Sequence, residues 1–177
     1  MPDTPPSPDI ELSYSSELGE LDALEPLWNA LQAHHSQINP SLGDATPRRD
    51  AADAWRMRRS KYERWLQEPK AFFVVARKSG EPVGYAFVTV GPGYASWATG
   101  EQLAELETLS VLPDHRSAGT GRKLLDAVWA RLGEHGVADL AVTTTKTNID
   151  AQRFYERHGL KQAFVIYYGK SPTPPPS

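Results

Sequence analysis

Two glycines one residue apart, Gly119 and Gly121, open an apolar helical pattern and are flanked by Arg116, Arg122 and Lys123. Glycine near a helix start costs roughly 0.5–1 kcal/mol relative to alanine. Close access to the backbone would offset that cost. Without Cβ atoms in the way, the N–H groups of Ala118, Gly119, Thr120, Gly121 and Arg122 can all be approached by a ligand. First-turn N–H groups have no partner inside their helix and sit at the positive end of the helix dipole, so a pyrophosphate fits there. A plain loop-to-helix turn, with glycines for chain reversal, reads the same residues without a ligand. The stretch is not a P-loop, since no G-x-x-x-x-G-K-[S/T] occurs, and the third glycine of the dinucleotide fingerprint is missing.

Other residues could do acid–base work. Glu105 and Glu107 lie in an apolar stretch, "AELETL", that reads as a strand, and Glu is depleted in strands. Alternation puts both on one face unless a bulge intervenes. His34 and His35 titrate near neutrality but lack metal-ligand spacing and an evident third ligand. They are expected to face solvent or to cap the helix end. Tyr94 and Trp97 sit in "GPGYASWATG", a glycine-rich loop that could form one wall of a pocket.

The elements that must hold these residues follow from periodicity. Ile10–Ser15 is a modest strand. Leu21, Leu24, Leu27, Trp28 and Leu31 mark one helical face, broken at Asn39-Pro40. Trp55, Tyr62, Trp65 and Leu66 mark a second, stopped by Pro69. "AFFVVAR", the turn "SGEP" and "VGYAFVTV" read as a hairpin. Gln102–Leu112 is a fourth strand, followed by a helix carrying Leu124, Leu125, Val128, Trp129 and Leu132. Asp139–Thr145 is a fifth strand, Asp150–His158 a short helix with Asn148 near its start, and Phe164–Tyr168 a last strand. The order is β-α-α-β-β-β-α-β-α-β, an α/β (α+β) sheet with helices on both faces. The unit Leu106–Thr145 implies a parallel, right-handed crossover.

Composition narrows the class. The 177 residues are 40% hydrophobic and 23% charged, as expected of a globular chain. A net charge of −3 gives no general attraction to nucleic acid or acidic membranes. No cysteine is present, which excludes disulfides, zinc–thiolate sites and a thiol nucleophile. No apolar leader or long apolar run occurs, so a cytoplasmic protein is expected. The Pro/Ser-rich ends, residues 1–8 and 171–177, are expected to be disordered tails around one domain over residues 9–170.

At the glycine pair the chain resembles the Gcn5-related N-acetyltransferase (GNAT) family. The family's phosphate signature, [R/Q]-x-x-G-x-[G/A], is matched by Arg116-Ser117-Ala118-Gly119-Thr120-Gly121, and its strand ending V-x-P by Val111-Leu112-Pro113. Its later motif, N-x-x-A-x-x-[F/L]-Y, is matched from Asn148 through Ala151 to Phe154-Tyr155. Ser117 departs from the glycine that many members carry, and an ordinary backbone conformation is expected there. The resemblance implies a mixed six- to seven-stranded sheet whose fourth and fifth strands splay to admit acetyl-CoA. The pantetheine arm would pair with Leu109, Ser110 and Val111, and the pyrophosphate with Arg116 and the amides from Ala118 to Arg122. Asn148 and Ala151 would also meet the cosubstrate, and no metal is expected.

For chemistry, an alkylammonium with a pKa of about 10.4 must first lose a proton, and a departing thiolate benefits from a nearby acid. The resemblance assigns these tasks to Glu107, directly or through water, and to Tyr155. His34, His35, Glu105 and Tyr94 would line the acceptor site. A small primary amine is the expected acceptor. A protein N-terminus or lysine is the alternative, and a catalytically silent CoA sensor is a third reading. Homodimerisation is possible in this fold.

Overall fold

The structure, a computed structural model, describes residues 9–39 and 46–170. The expected tails and the start of the segment after Asn39 lie outside the described residues. Two compact units form, one from Met1–His34 with Arg49–Thr143 and one from His35–Arg48 with Thr144–Ser177.

The first unit holds a sheet of five strands among the described residues, in the order β1-β2-β3-β4-β5. These are β1 Ile10–Ser15, β2 Phe72–Lys78, β3 Glu81–Pro92, β4 Gln102–Val111 and β5 Asp139–Val142. Neighbours from β1 to β4 run antiparallel, and β5 runs parallel to β4. The β2–β3 hairpin turns at Ser79 and Gly80, with φ of +52° and +84°. Two positive φ angles in a two-residue loop give the turn twist that matches paired strands.

Helices cover both faces, as the apolar stripes require. A 3₁₀ turn, Leu18–Leu24, runs into α1, Glu25–Ile38, and α2 spans Ala51–Trp65. The side chain of Asp50 caps α2 by accepting the Asp53 amide at 2.8 Å. Leu21, Leu24, Leu27, Trp28, Trp55 and Tyr62 bury against Phe73, Val75, Tyr85 and Phe87 of the sheet. The alternate residues Val74, Ala86 and Val88 are fully buried too, so the central strands are covered on both sides. Helix α3, Thr120–Glu134, packs across β2, β3 and β4. Its buried Leu124, Leu125, Val128 and Leu132 form the expected stripe. The β4–α3–β5 connection is the parallel crossover read from the sequence.

The second unit contains α4, Ile149–Arg157. Its N-cap is Asn148, whose Oδ1 accepts the Ala151 amide at 3.2 Å. Two expectations about this fold are corrected. The sheet has five strands among the described residues rather than six or seven. The last expected strand, Phe164–Tyr168, has no regular structure, and Val165, Ile166 and Tyr167 are 77%, 72% and 91% exposed. A β-branched, aromatic run has strand propensity, but a strand also needs a ladder partner.

Candidate active site

The site is built around an irregularity in β4. Phe87 pairs with Thr108, but the next residue, Val88, pairs with Leu106. Glu107 is therefore an extra residue with no partner on β3, a β-bulge. Thr89 lies opposite Glu105, and its hydroxyl donates to Glu107 Oε1 at 2.9 Å. Glu105 and Glu107 thus share a face, as alternation predicts. Beyond Glu107 the bulge resets the alternation, so Thr108 and Ser110 stay on that same face, opposite Phe87 and Tyr85.

The surroundings of Glu107 are half apolar. Burial raises its carboxyl pKa above the ordinary value, the Thr89 hydrogen bond pulls it back, and the Glu105 charge adds to the rise. The charges of Arg58 and Lys61 on α2 act the other way. A carboxylate shifted upward toward working pH is a better general base than an exposed one. Glu105 itself is exposed.

Behind this face runs a buried hydroxyl chain. Tyr62 Oη lies 2.9 Å from Tyr85 Oη and 2.8 Å from Thr108 Oγ1. The Tyr62 ring stacks on Phe87 with centroids 4.0 Å apart. The chain ties α2 to β3 and to the residue just past the bulge. Ser110 is also anchored inward, its Oγ donating to the Leu27 carbonyl at 3.1 Å. Only the backbone of Ser110 is therefore available to a ligand.

Beside the bulge, β4 loses its second neighbour. Strand β5 pairs with β4 only from Leu103 to Leu106. From Glu107 through Leu109, Ser110 and Val111, the β5 side of the strand has no ladder among the described residues. An extended polar chain can add at such an open edge as a strand would.

The phosphate loop comes next in the chain. Arg116 Nε donates to the Val111 carbonyl at 3.0 Å, so this side chain closes the end of β4. Gly119 adopts φ +80° at the N-cap of α3. The first α3 bond joins the Lys123 amide to the Gly119 carbonyl. The amides of Thr120, Gly121 and Arg122 precede that bond and form the first turn, where the helix itself supplies no acceptor. The Thr120 hydroxyl is inaccessible and lacks a hydrogen-bond partner among the described residues. First-turn amides at a glycine-marked helix start fit a diphosphate. Arg122 is paired with Asp126 at 3.5 Å and exposed, and Lys123 is exposed. The expectation for Ser117 is corrected: its φ is +63°, in the left-handed region that favours glycine.

The remaining predicted site residues divide by element. Tyr155 lies on α4 of the second unit, where burial pushes its phenol up to about 12 rather than the value near 10 of a free tyrosine. Asn148 is buried, and Ala151 lies one turn on in the same helix. His34 and His35 lie in the C-terminal half of α1 and are half-buried, and no group of three metal-ligating side chains occurs among the described residues. Tyr94 lies in the β3–β4 loop, its amide donating to Thr99 Oγ1 at 3.0 Å. No helix among the described residues is long and apolar enough to cross a membrane. Sequence reasoning missed Thr89, Arg58 and the Tyr62–Thr108 pair. A threonine in a strand and an arginine in a helix carry no local signal of such roles.

The sheet is mixed, with a bulged, half-open fourth strand and a glycine-marked helix start after it. The structure superposes with a TM-score of 0.69 on the aminoglycoside N-acetyltransferase AAC(6')-Iy in complex with CoA, at 18% identity over 96% of this chain and 99% of that one. Residues 28–160 match the family described as acetyltransferase (GNAT), and the chain belongs to that family. Among curated relatives, it is 28% identical to the mycothiol acetyltransferase of Cellulomonas flavigena over 86% of this chain, which spans 42% of that protein. It is also 28% identical to an aminoglycoside N(6')-acetyltransferase type 1 of Stenotrophomonas maltophilia, over 59% of this chain and 69% of that one.

Proposed function

We propose that residues 9–170 act as one N-acetyltransferase domain that moves an acetyl group from acetyl-CoA to the primary amine of a small molecule. The observation that carries this reading is the half-open β4. The strand is paired with β5 up to Leu106 and open from Glu107 to Val111, with the bulged carboxylate where the opening starts. In this reading the pantetheine arm adds to the backbone of Leu109–Val111. The diphosphate takes the amides from Ala118 to Arg122. Arg116 holds the end of β4 in place for both.

Glu107 accepts a proton from the acceptor ammonium, directly or through water, so that the neutral amine can attack the thioester carbonyl. Tyr155 donates its phenolic proton to the departing CoA thiolate. Asn148 caps α4 and so fixes where Tyr155 begins its turn of helix, with Ala151 on the cosubstrate side. Glu105, His34, His35 and Tyr94 shape the acceptor end. The two named relatives support a small-molecule acceptor by their descriptions.

The test is release of CoA thiol from acetyl-CoA with polyamines, aminoglycosides, amino acids and short peptides in turn. Turnover with a small amine, reduced about 100-fold or more in Glu107→Gln, supports the reading. Turnover confined to peptides replaces the acceptor class. Binding of acetyl-CoA with no turnover on any amine favours a CoA sensor.

A further inference from the structure

Helix α2 is rich in arginine, and two of its five cations are committed to acids among the described residues. Arg56 pairs with Asp53, and Arg59 pairs with Asp22 and Glu63. Arg58 is different. Its guanidinium carbon lies 4.2 Å over the ring of Trp28, 5.3 Å over Tyr62 and 5.6 Å over Trp65. It has no ion pair and no hydrogen bond with a described residue. Three aromatic faces fix the guanidinium while using none of its five N–H donors. Lys61, one turn further along, lies 5.8 Å over Trp65 and is likewise without an ion pair.

A half-buried arginine with open donors costs desolvation that a neighbouring acid would normally offset. No such acid pairs with it among the described residues. The nearby carboxylate, Glu107, is bonded to Thr89 instead. The Tyr62 ring under Arg58 belongs to the tyrosine whose hydroxyl meets Thr108, the neighbour of Glu107, so Arg58 and Glu107 flank one tyrosine. An arginine held in place with its fork unoccupied suits a planar or tetrahedral oxyanion, which it can bind by two parallel charge-assisted hydrogen bonds.

We propose that Arg58, assisted by Lys61, receives an anionic group on the acceptor, a carboxylate or a phosphate, while the amino end of the same molecule faces Glu107. The acceptor class is then an amine that also carries an anion. This rests on the acetyl-transfer reading above, and the experiment separates the two.

The full chain is assayed with acetyl-CoA and four short primary amines: β-alanine, O-phosphoethanolamine, ethanolamine and 1,3-diaminopropane. The expected result is a kcat/KM for β-alanine or O-phosphoethanolamine about 10-fold or more above that for ethanolamine, carried by KM. The two anionic amines tell carboxylate from phosphate. In Arg58→Gln the preference falls toward one. In Arg58→Lys, which keeps the charge and the stem but not the fork, it falls part of the way. Should Arg58→Gln lose its fold by circular dichroism, the Arg58→Lys ratio decides. Equal or better use of ethanolamine or diaminopropane by the wild type overturns the proposal, as does an unchanged ratio in a folded variant. If none of the four amines is acetylated, the proposal is decided by calorimetry with inorganic phosphate. Binding by the wild type that Arg58→Gln or Arg58→Lys loses supports it, and no wild-type binding overturns it. Failure of the acetyl-transfer reading itself would show instead as no CoA release with any amine in the wider panel.

Discussion

Tyr62→Phe removes one oxygen atom from the centre of the buried hydroxyl chain and nothing else. The ring keeps its stack on Phe87, 4.0 Å away and nearly parallel. What is lost is the bond to Tyr85 Oη at 2.9 Å and the bond to Thr108 Oγ1 at 2.8 Å. Tyr85 and Thr108 are 0% and 4% exposed, so neither hydroxyl can turn to water. Each net bond contributes about 1 kcal/mol, and each stranded buried hydroxyl costs about 1–3 kcal/mol. The two stranded partners can share a bond only if the chain shifts, so the expected loss is about 2–3 kcal/mol. For a chain of this length that lowers Tm by roughly 4–12 °C. Urea unfolding at constant m, beside calorimetry, measures it. The triple variant Tyr62→Phe, Tyr85→Phe, Thr108→Val removes every member of the chain while keeping its shape. It should recover to within about 1 kcal/mol of the wild type, because replacing all partners leaves nothing unsatisfied. A loss below about 0.5 kcal/mol in Tyr62→Phe would refute the reasoning. So would a triple variant worse than the single one.

Other expectations bear on the site. Thr89→Val removes the bond that favours ionised Glu107, so the carboxyl pKa rises further; because the base must be deprotonated, the acid limb of the kcat/KM profile moves to higher pH. Ser117→Gly relieves a left-handed residue with φ +63° and should raise stability by about 0.5–1 kcal/mol, read from the urea midpoint. Tyr155→Phe should lower kcat about 100-fold in the CoA-release assay. With the phenol pushed up to about 12, Tyr155 stays protonated at working pH, so that change should shift neither limb of the profile.

Much of the architecture was legible because local signals agreed with global need. The β-branched run Phe72–Lys78, the Ser79-Gly80 turn and Glu81–Pro92 form the expected hairpin. The stripes of Leu21 to Trp28 and of Leu124 to Leu132 bury as their spacing requires. The glycine pair marked the helix start correctly, and Asn148 caps α4. Three features were beyond a local reading. A bulge is defined by the partner strand, and "AELETLS" alternates just as an unbulged strand would. The sign of φ at Ser117 is set by the turn around it, and serine does not announce it. Phe164–Tyr168 shows the converse: its residues suit a strand, yet pairing is a property of two segments and none is supplied among the described residues. Arg58 was invisible for the same reason, since Trp28, which shares its cage, lies on another helix.

Glu107 stands outside the β3–β4 ladder while its neighbours Leu106 and Thr108 are both paired. The chain thus separates two obligations that most strand residues must meet together. Residue 106 and residue 108 answer to the β3–β4 ladder, whereas residue 107 is released from it. Exchange of the side chain at 107 need not disturb pairing, so activity can be lost, weakened or redirected there with little penalty to folding. With Glu107 as the proposed base, variants at 107 offer a clean comparison in which catalysis is expected to change while the fold does not.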